Sequence, residues 1–481
     1  MSRPGVTVCH LIALSVERKN QIIMLNAGVG RSDITPPVGI AHAGWGAATH
    51  ERAEGVDMPF YATALYVTDG DIEIAIVDLD MGILTFDIDT QIREAILAST
   101  GIDPDNLRLT ATHTHSGPIG LGSWLEEGKE LIGPYQDSLA GRVTEAVASA
   151  KWAAKPAYVG VGSGECAINV NRRPALPNGE LFTGRNWEGF VDREVGVIGI
   201  DGVDGTPIAT VVNYTCHPTI LGPTNKLLSP DYPGYVRKVV EQHVPGLCLF
   251  LQGAAGNCGP THGFIGEVKV AKWLGTRLGL EAAKVRLEID PVPRKERLIE
   301  VVASGADLGM YEDEPIGEPD DTLRIVNHFV ELPAMDLPTV ADAQADYNAL
   351  ETKLHEVRKT GDDDAIKEAV KNAKRAGITL SSARIGETGM VNMRIQAIRI
   401  GVAALVGTPI EAFAEIGAAV KKRSQAAQTL FSGYSNGYQG YMPMADAYEF
   451  GGYEVNTTPY AAGAAEETIE ACVEAVNALW R

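Results

Sequence analysis

The chain has 481 residues, 45% of them hydrophobic, and a formal net charge of −21. That hydrophobic share is ordinary for a soluble protein and ample for a large core. The acid excess repels phosphate backbones and anionic membrane surfaces, and no basic stripe offsets it, so neither nucleic acid nor stable membrane association is expected.

Six cysteines, at 9, 166, 216, 248, 258 and 472, form no CxxC pair, the pattern of reduced thiols in a cytoplasmic protein rather than of a disulfide framework. Residues 1–23 read as an N-terminal tail. Its apolar patch, Val6 to Leu14, is interrupted by His10 and too short for a signal peptide, and nothing later is long enough to span a bilayer. Residues 24–481 read as one domain.

Gly28-Val29-Gly30 opens it without being a dinucleotide fingerprint, because no helix pattern follows and Pro36-Pro37 stops the chain. Residues 60–69 and 72–80 read as two strands joined by an Asp-Gly turn. Asp87 to Ser99 has apolar residues at helical spacing. Leu107 to Ala111 alternates apolar and polar residues, as a strand does, and runs into Thr112-His113-Thr114-His115-Ser116-Gly117-Pro118. On a strand, His113 and His115 would emerge on one face about 7 Å apart, and Ser-Gly-Pro would leave both imidazoles at the mouth of a sheet. Imidazole is the commonest metal ligand; the plainer alternative is two satisfied histidines at a strand end.

A helix is expected from about Tyr135 to Ala150, then strands at 156–170 and 191–200 around a polar loop. Another strand, Thr206 to Tyr214, ends in Thr215-Cys216-His217-Pro218-Thr219. A short one, Leu247 to Leu251, enters Gln252-Gly253-Ala254-Ala255-Gly256-Asn257-Cys258-Gly259-Pro260, a glycine-rich turn of the kind that lets a ligand approach backbone N–H groups. Residues 338–376 read as a solvent-facing helical hairpin inserted between sheet segments, its charges a solvated face. Strand character returns at 390–407, where the alternation shifts phase from Met393, Ile395 and Ala397 to Ile398, Ile400 and Val402, predicting a bulge or a change of buried face. Glu411 follows Pro409, a helix runs to about Ala427, and a tyrosine-dense loop carries Tyr434, Tyr438, Tyr441, Tyr448 and Tyr453. A helix over 461–479 closes the chain. The class is α/β: layered mixed β-sheets flanked by helices, with the inserted hairpin.

Two histidines and a carboxylate are a hydrolytic zinc set, and zinc brings the pKa of a bound water to roughly 7. Together, Gly30-Arg31-Ser32-Asp33-Ile34-Thr35, the run Thr112 to Pro118, Asn171-Arg172, His217-Pro218-Thr219, Gln252 to Pro260, Pro409 to Phe413 and Asn436 to Glu454 resemble the neutral/alkaline ceramidase family of zinc amidases. They occur in family order over residues 25 to 460. The resemblance implies zinc ligands His113, His217, Glu411 and Tyr441, with His115, Arg172 and Tyr453 on the scissile group. It implies an amidohydrolase of a small-molecule N-acyl substrate and leaves a homo-oligomer open.

The chain departs from the family pattern at Gly259, where the family has a serine, and at Asn257, where it has an aspartate. It also ends where the family's C-terminal β-sandwich would begin. These departures point to a substrate smaller or more polar than ceramide, or to a lactone or cyclic amide. True ceramide hydrolysis and a non-catalytic binding role are the alternatives. Residue by residue, Glu411 could instead complement a helix N-terminus, Tyr441 could pack, either Arg172 or Arg173 could enter the site, and Cys258 could be a nucleophile.

Overall fold

The computed structural model describes residues 24–42, 45, 47, 48, 50–118, 125–292 and 294–481. The tail over 1–23 lies outside the described residues. Eight strands form one sheet in the spatial order Leu247–Gln252, Pro207–Tyr214, Glu194–Gly202, Lys155–Glu165, Asn26–Asp33, Tyr61–Thr68, Glu73–Leu79 and Leu107–Ala111. The pairs 247–252/207–214 and 73–79/107–111 are parallel, and the others antiparallel. The sheet curls far enough that the N–H of Phe250 donates to Asp78 at 2.8 Å, linking its first strand to its seventh.

Side-chain alternation explains the layers. On Tyr61–Thr68, Ala62, Ala64 and Tyr66 pack under the helices α1 (Phe86–Thr100) and α2 (Ile132–Trp152), while Leu65 and Val67 point the other way. That second face meets a four-stranded sheet, Leu323–Pro333, Met390–Ile400, Ala403–Gly407 and Gln428–Ser432. Val195 and Val197 face α3 (Tyr232–His243) and α4 (Val268–Glu288). The outer face of the smaller sheet, with Met393, Ile395 and Val406, is covered by α7 (Ala414–Arg423) and the C-terminal helix Ala464–Ala478. The result is helix, sheet, sheet, helix, the layered α/β class expected.

Gly28 and Gly30 have a structural use: a Cβ at either would stand 2.2 Å from a carbonyl of α2, so the helix lies directly on the strand. The shift of alternation after Ala397 is the change of buried face and not a bulge: the pairing runs unbroken from Leu323↔Ile400 to Pro333↔Met390, with Met393, Ile395 and Ala397 in one core and Ile398 and Ile400 in the other. Both faces of that strand are buried, and the chain then reverses at Gly401, whose φ is +56°. The helices α3 and α4, the paired strands Arg294–Val302 and Leu308–Pro315, and the strand Leu323–Pro333 went unread in the sequence.

The hairpin, α5 (Val340–Arg358) and α6 (Asp363–Ile385), is inserted between two sheet strands as expected, but it is not simply solvent-facing. Leu354, Ala369 and Ala373 pack on Ala41 and Leu125 of the body. Arg358 pairs with Glu51 at 2.8 Å, so part of its charge is spent on docking. Among the described residues no helix is long and apolar enough to cross a membrane.

Candidate metal centre

The strand carrying the histidine run ends at Ala111. Thr112 and His113 donate their N–H groups to Leu79 and Met81 instead of continuing the ladder, and His113 has φ +66°. His113 and His115 are therefore not spread along one strand face. The left-handed residue folds the run back on itself, bringing their Nε2 atoms to 3.3 Å. His217 arrives from another strand end, its N–H donating to the carbonyl of Cys258 at 3.0 Å. Its Nε2 stands 3.1 Å from that of His113, 104 residues away.

Each of these two rings is fixed from behind. His113 Nδ1 lies 2.7 Å from the carbonyl of Gly82, and His217 Nδ1 lies 3.1 Å from that of Ala255. A carbonyl only accepts, so both Nδ1 atoms carry a proton and both rings turn Nε2 toward the shared point. Burial, then Arg172 and the neighbouring imidazoles, hold His217 well below its ordinary pKa, so it stays neutral.

The carboxylate comes from a different part of the chain. Glu411-Ala412 pairs in parallel with Tyr441-Met442, which makes Glu411 and Tyr441 direct ladder partners. Glu411 Oε2 lies 3.5 Å from His113 Nε2 and 3.6 Å from His217 Nε2. Burial pushes this carboxyl up, but His113, Arg172 and a 2.5 Å hydrogen bond from the Tyr438 hydroxyl more than reverse it, leaving it below the ordinary range. Ligands about 2.0–2.1 Å from zinc at tetrahedral angles stand about 3.3–3.4 Å apart. The separations here, 3.1, 3.5 and 3.6 Å, suit such an ion. The donor set fits the metal.

The tyrosine loop reaches the site by lying along the edge strand. The N–H of Ala111 donates to Tyr434, and that of Asn436 to Leu109. Tyr434 thereby stacks on His113, ring centroids 4.3 Å apart. Tyr438, Tyr441 and Tyr453 line a cavity of about 140 Å³ together with His113, His115 and Glu411. Tyr441 stays a protonated phenol in the metal-free protein, because burial pushes it up more than Arg172 pulls it down.

His115 differs from its neighbours. It is half-buried, it faces the cavity, and its Nδ1 has no hydrogen-bond partner. Burial, then His113 and Lys374, lower its pKa well below the ordinary value. Its Nε2 completes a trio of imidazole nitrogens able to hold an ion.

Of the two arginines, Arg172 belongs to the site. It donates to the Tyr441 hydroxyl at 3.0 Å and to Glu454 at 3.0 Å, while Arg173 turns to the far oxygen of Glu454 and the carbonyl of Gly451. Arg172 is not among the residues lining the cavity; it stands one layer back, behind Tyr441. The glycine-rich turn also serves the frame more than a ligand: a Cβ on Gly256 would meet the carbonyl of Glu411 at 2.4 Å. Gly259 packs behind the Arg172 stem, where an added Cβ would have ordinary contacts at 3.7 Å. Cys258 is buried, and burial raises its thiol well above the ordinary range, which argues against a thiolate nucleophile.

Glu454, the clasp of Tyr438 on Glu411, and a wall built from α6 were missed in the sequence. Lys374, Ile378, Ser381, Ser382 and Ile385 line the cavity at one-turn spacing. The helical period of 365–376 was legible, but nothing in it said which body the face would meet.

The fold and site define a layered α/β protein with a buried donor cluster able to hold a cation beneath a small cavity. Residues 25–251 match the family described as neutral/alkaline non-lysosomal ceramidase, N-terminal. The chain is 23% identical to a neutral ceramidase of Pseudomonas aeruginosa over 96% of its own length and 73% of that protein's. It is 28% identical to neutral ceramidase A of Dictyostelium discoideum over 50% of this chain, covering 34% of that relative. Two solved structures share the fold at 18% identity: a ceramidase described as complexed with C2 (TM-score 0.67, 95% of this chain and 75% of that one) and the neutral ceramidase from Pseudomonas aeruginosa (0.65, 95% and 74%). The chain thus resembles the neutral/alkaline ceramidase family, through the match over residues 25–251 and an alignment with a neutral ceramidase along 96% of its length.

Proposed function

We propose that this protein is a zinc-dependent hydrolase that cleaves the amide of an N-acyl compound smaller or more polar than ceramide. The observation that carries this reading is the meeting of two carbonyl-anchored imidazoles and a carboxylate at 3.1 to 3.6 Å. His113, His217, Glu411 and Tyr441 would hold the ion. When bound, zinc supplies a water acidic enough to attack at neutral pH and polarises the scissile carbonyl.

The remaining work falls to the chain itself. His115, neutral and open to the cavity, can take a proton at Nε2 and return it to the departing amine. Tyr453 presents a hydroxyl to the same space, suited to a growing oxyanion. Arg172 stays charged, because Tyr441 and Glu454 outweigh the effect of its burial. It is a positioning residue: its hydrogen bond holds the Tyr441 oxygen and favours a phenolate there. The cavity, about 140 Å³, supports a short substrate, since sites for larger ligands run to roughly 300–1,000 Å³.

Elemental analysis of the purified protein, with chelation and zinc re-addition, tests this against a panel from N-acetyl compounds to long-chain ceramide. One zinc per chain, reversible loss of activity and faster turnover of the short amides are expected. Full activity in metal-free protein would sink the proposal. The second reading, true ceramide hydrolysis, is supported by the names of the relatives; faster turnover of ceramide than of the short amides would establish it.

Glu454→Gln should lower kcat about 10- to 100-fold with zinc content unchanged, because it loosens the arginine that fixes Tyr441 without touching an expected ligand. Steady-state kinetics beside elemental analysis checks this; wild-type kcat in the variant would show that the clasp does not matter.

A further inference from the structure

The β-hairpin Arg294–Val302 and Leu308–Pro315 has no core of its own. Every residue of its first strand is exposed, as are all but one of its second, and none joins a hydrophobic cluster among the described residues. Yet the pairing sets Leu298 opposite Tyr311 and Val301 opposite Gly309, so one face carries an apolar patch in which Tyr311 and Val301 are each 59% exposed. An isolated two-stranded hairpin is marginal in water and needs packing to persist. On the same face, nearer the base, Glu296 stands directly opposite Asp313, an unfavourable pair of like charges. The ion pairs between the strands, Lys295 with Glu314 and Arg297 with Glu312 and Glu314, lie on the other face. The patch is therefore complementary to a surface that is both apolar and basic.

The helix just before the hairpin offers such a surface. α4 buries one stripe, with Leu274, Leu278 and Val285, against the body. A second stripe, Trp273, Leu280 and Leu287, points outward at seven-residue spacing, and Leu287 is 67% exposed. Arg277 and Lys284 fall between them on the same helix face. Arg277 stands 5.4 Å from the centre of the Trp273 ring, and Lys284 reaches Glu281 at 3.0 Å. The stripe from Trp273 to Leu287 is about 21 Å long and an eight-residue strand about 27 Å, so the two match in length. Both surfaces are exposed, so the hairpin does not cover its own α4.

We infer that the β-hairpin of one copy lies on the outward face of α4 of a second copy, and that the exchange is reciprocal, giving a two-fold dimer. A second copy brings both surfaces, with opposite charges, wherever the chain itself is present. Two-fold dimers are also the commonest closed assembly. Each copy would contribute strands of nine and eight residues and five residues of α4, within the about 20–30 a side of a specific interface. A lipid surface fits less well, because Glu296 and Asp313 would meet anionic headgroups. The inference stands apart from the amidase reading.

Sedimentation velocity on the full chain tests it. At micromolar concentration the wild type should sediment as a dimer of the 51.3 kDa chain. Leu287→Glu and Tyr311→Glu, both at exposed positions, should each weaken association at least about 30-fold while the far-UV circular dichroism stays unchanged. Arg277→Glu should weaken it too, and adding Glu296→Lys and Asp313→Lys should restore part of the loss. A dimer unmoved by both apolar substitutions, or no recovery in the combined variant, overturns the inference. So does a monomeric wild type; co-sedimentation of that monomer with phosphatidylcholine vesicles would assign the hairpin to a lipid surface instead.

Discussion

Replacing His217 with alanine is expected to remove the metal and to lower amidase activity by at least about a thousandfold, on the order of 4 kcal/mol of barrier. The ring has no exposure, and its Nδ1 is already held by Ala255, so its Nε2 has no other use than the shared point facing His113 and Glu411. A loss of activity alone would not separate a metal defect from a folding defect. Thermal unfolding with and without zinc does. A ligand that binds only the native state raises its stability in proportion to the logarithm of its concentration over Kd, so the wild type should gain melting temperature with zinc and His217→Ala should not. A His217→Ala protein that still takes up one zinc and is stabilised like the wild type would refute the metal centre.

The largest effect on stability is expected at Arg237. This residue of α3 is 3% exposed and lies between Asp78 and Asp80, which are 1% and 0% exposed. It donates to Asp78 at 2.9 Å and makes a closer contact with Asp80. Those carboxylates also accept the N–H groups of Phe250 and Tyr61. The trio thus pins α3 where the curled sheet brings its first and seventh strands together.

Arg237→Met leaves two carboxylates buried without their cation. Breaking a buried pair in this way costs about 3–5 kcal/mol. Urea unfolding should show the midpoint falling with little change in slope. Adding Asp78→Asn and Asp80→Asn to Arg237→Met should recover part of the loss, because the amides still accept the two N–H groups and carry no charge. A single variant as stable as the wild type, or a triple variant less stable than the single, would show that the charges are not the cause.

Local chemistry was legible wherever it obeys a short period. The strand before the histidine run, the helices over 86–100 and 132–152, and the first arm of the inserted hairpin follow from alternation and helical spacing within a residue or a few at each end, while the second arm runs on to Ile385, past its expected end at 376. The donor types were legible too, because imidazoles and a carboxylate at strand ends next to glycine and proline are unusual. What misled was extending a pattern past its end. The ladder stops at Ala111, and a positive φ at His113, which no periodicity encodes, sets the relation of the two imidazoles. The α3 and α4 segments escaped notice because their buried faces are built partly from Gly234, Gly275 and Gly279, glycines that weaken a helical reading while allowing α4 to pack closely on α3.

By itself the sequence determined the α/β class, the element types over most of the chain, and a set of residues able to bind a metal, because each depends on neighbours within a few positions. Tertiary structure alone decided how they meet. Glu411 and Tyr441 became partners through a two-residue parallel ladder, and the tyrosine loop met His113 by lying on the edge strand. Arg172 was chosen over Arg173 by the position of Glu454, and α6 became a cavity wall through apolar contacts that α5 and α6 make with Ala41 and Leu125. These are pairings between segments tens to hundreds of residues apart. Hydrogen bonding and burial select them only once the whole chain has packed.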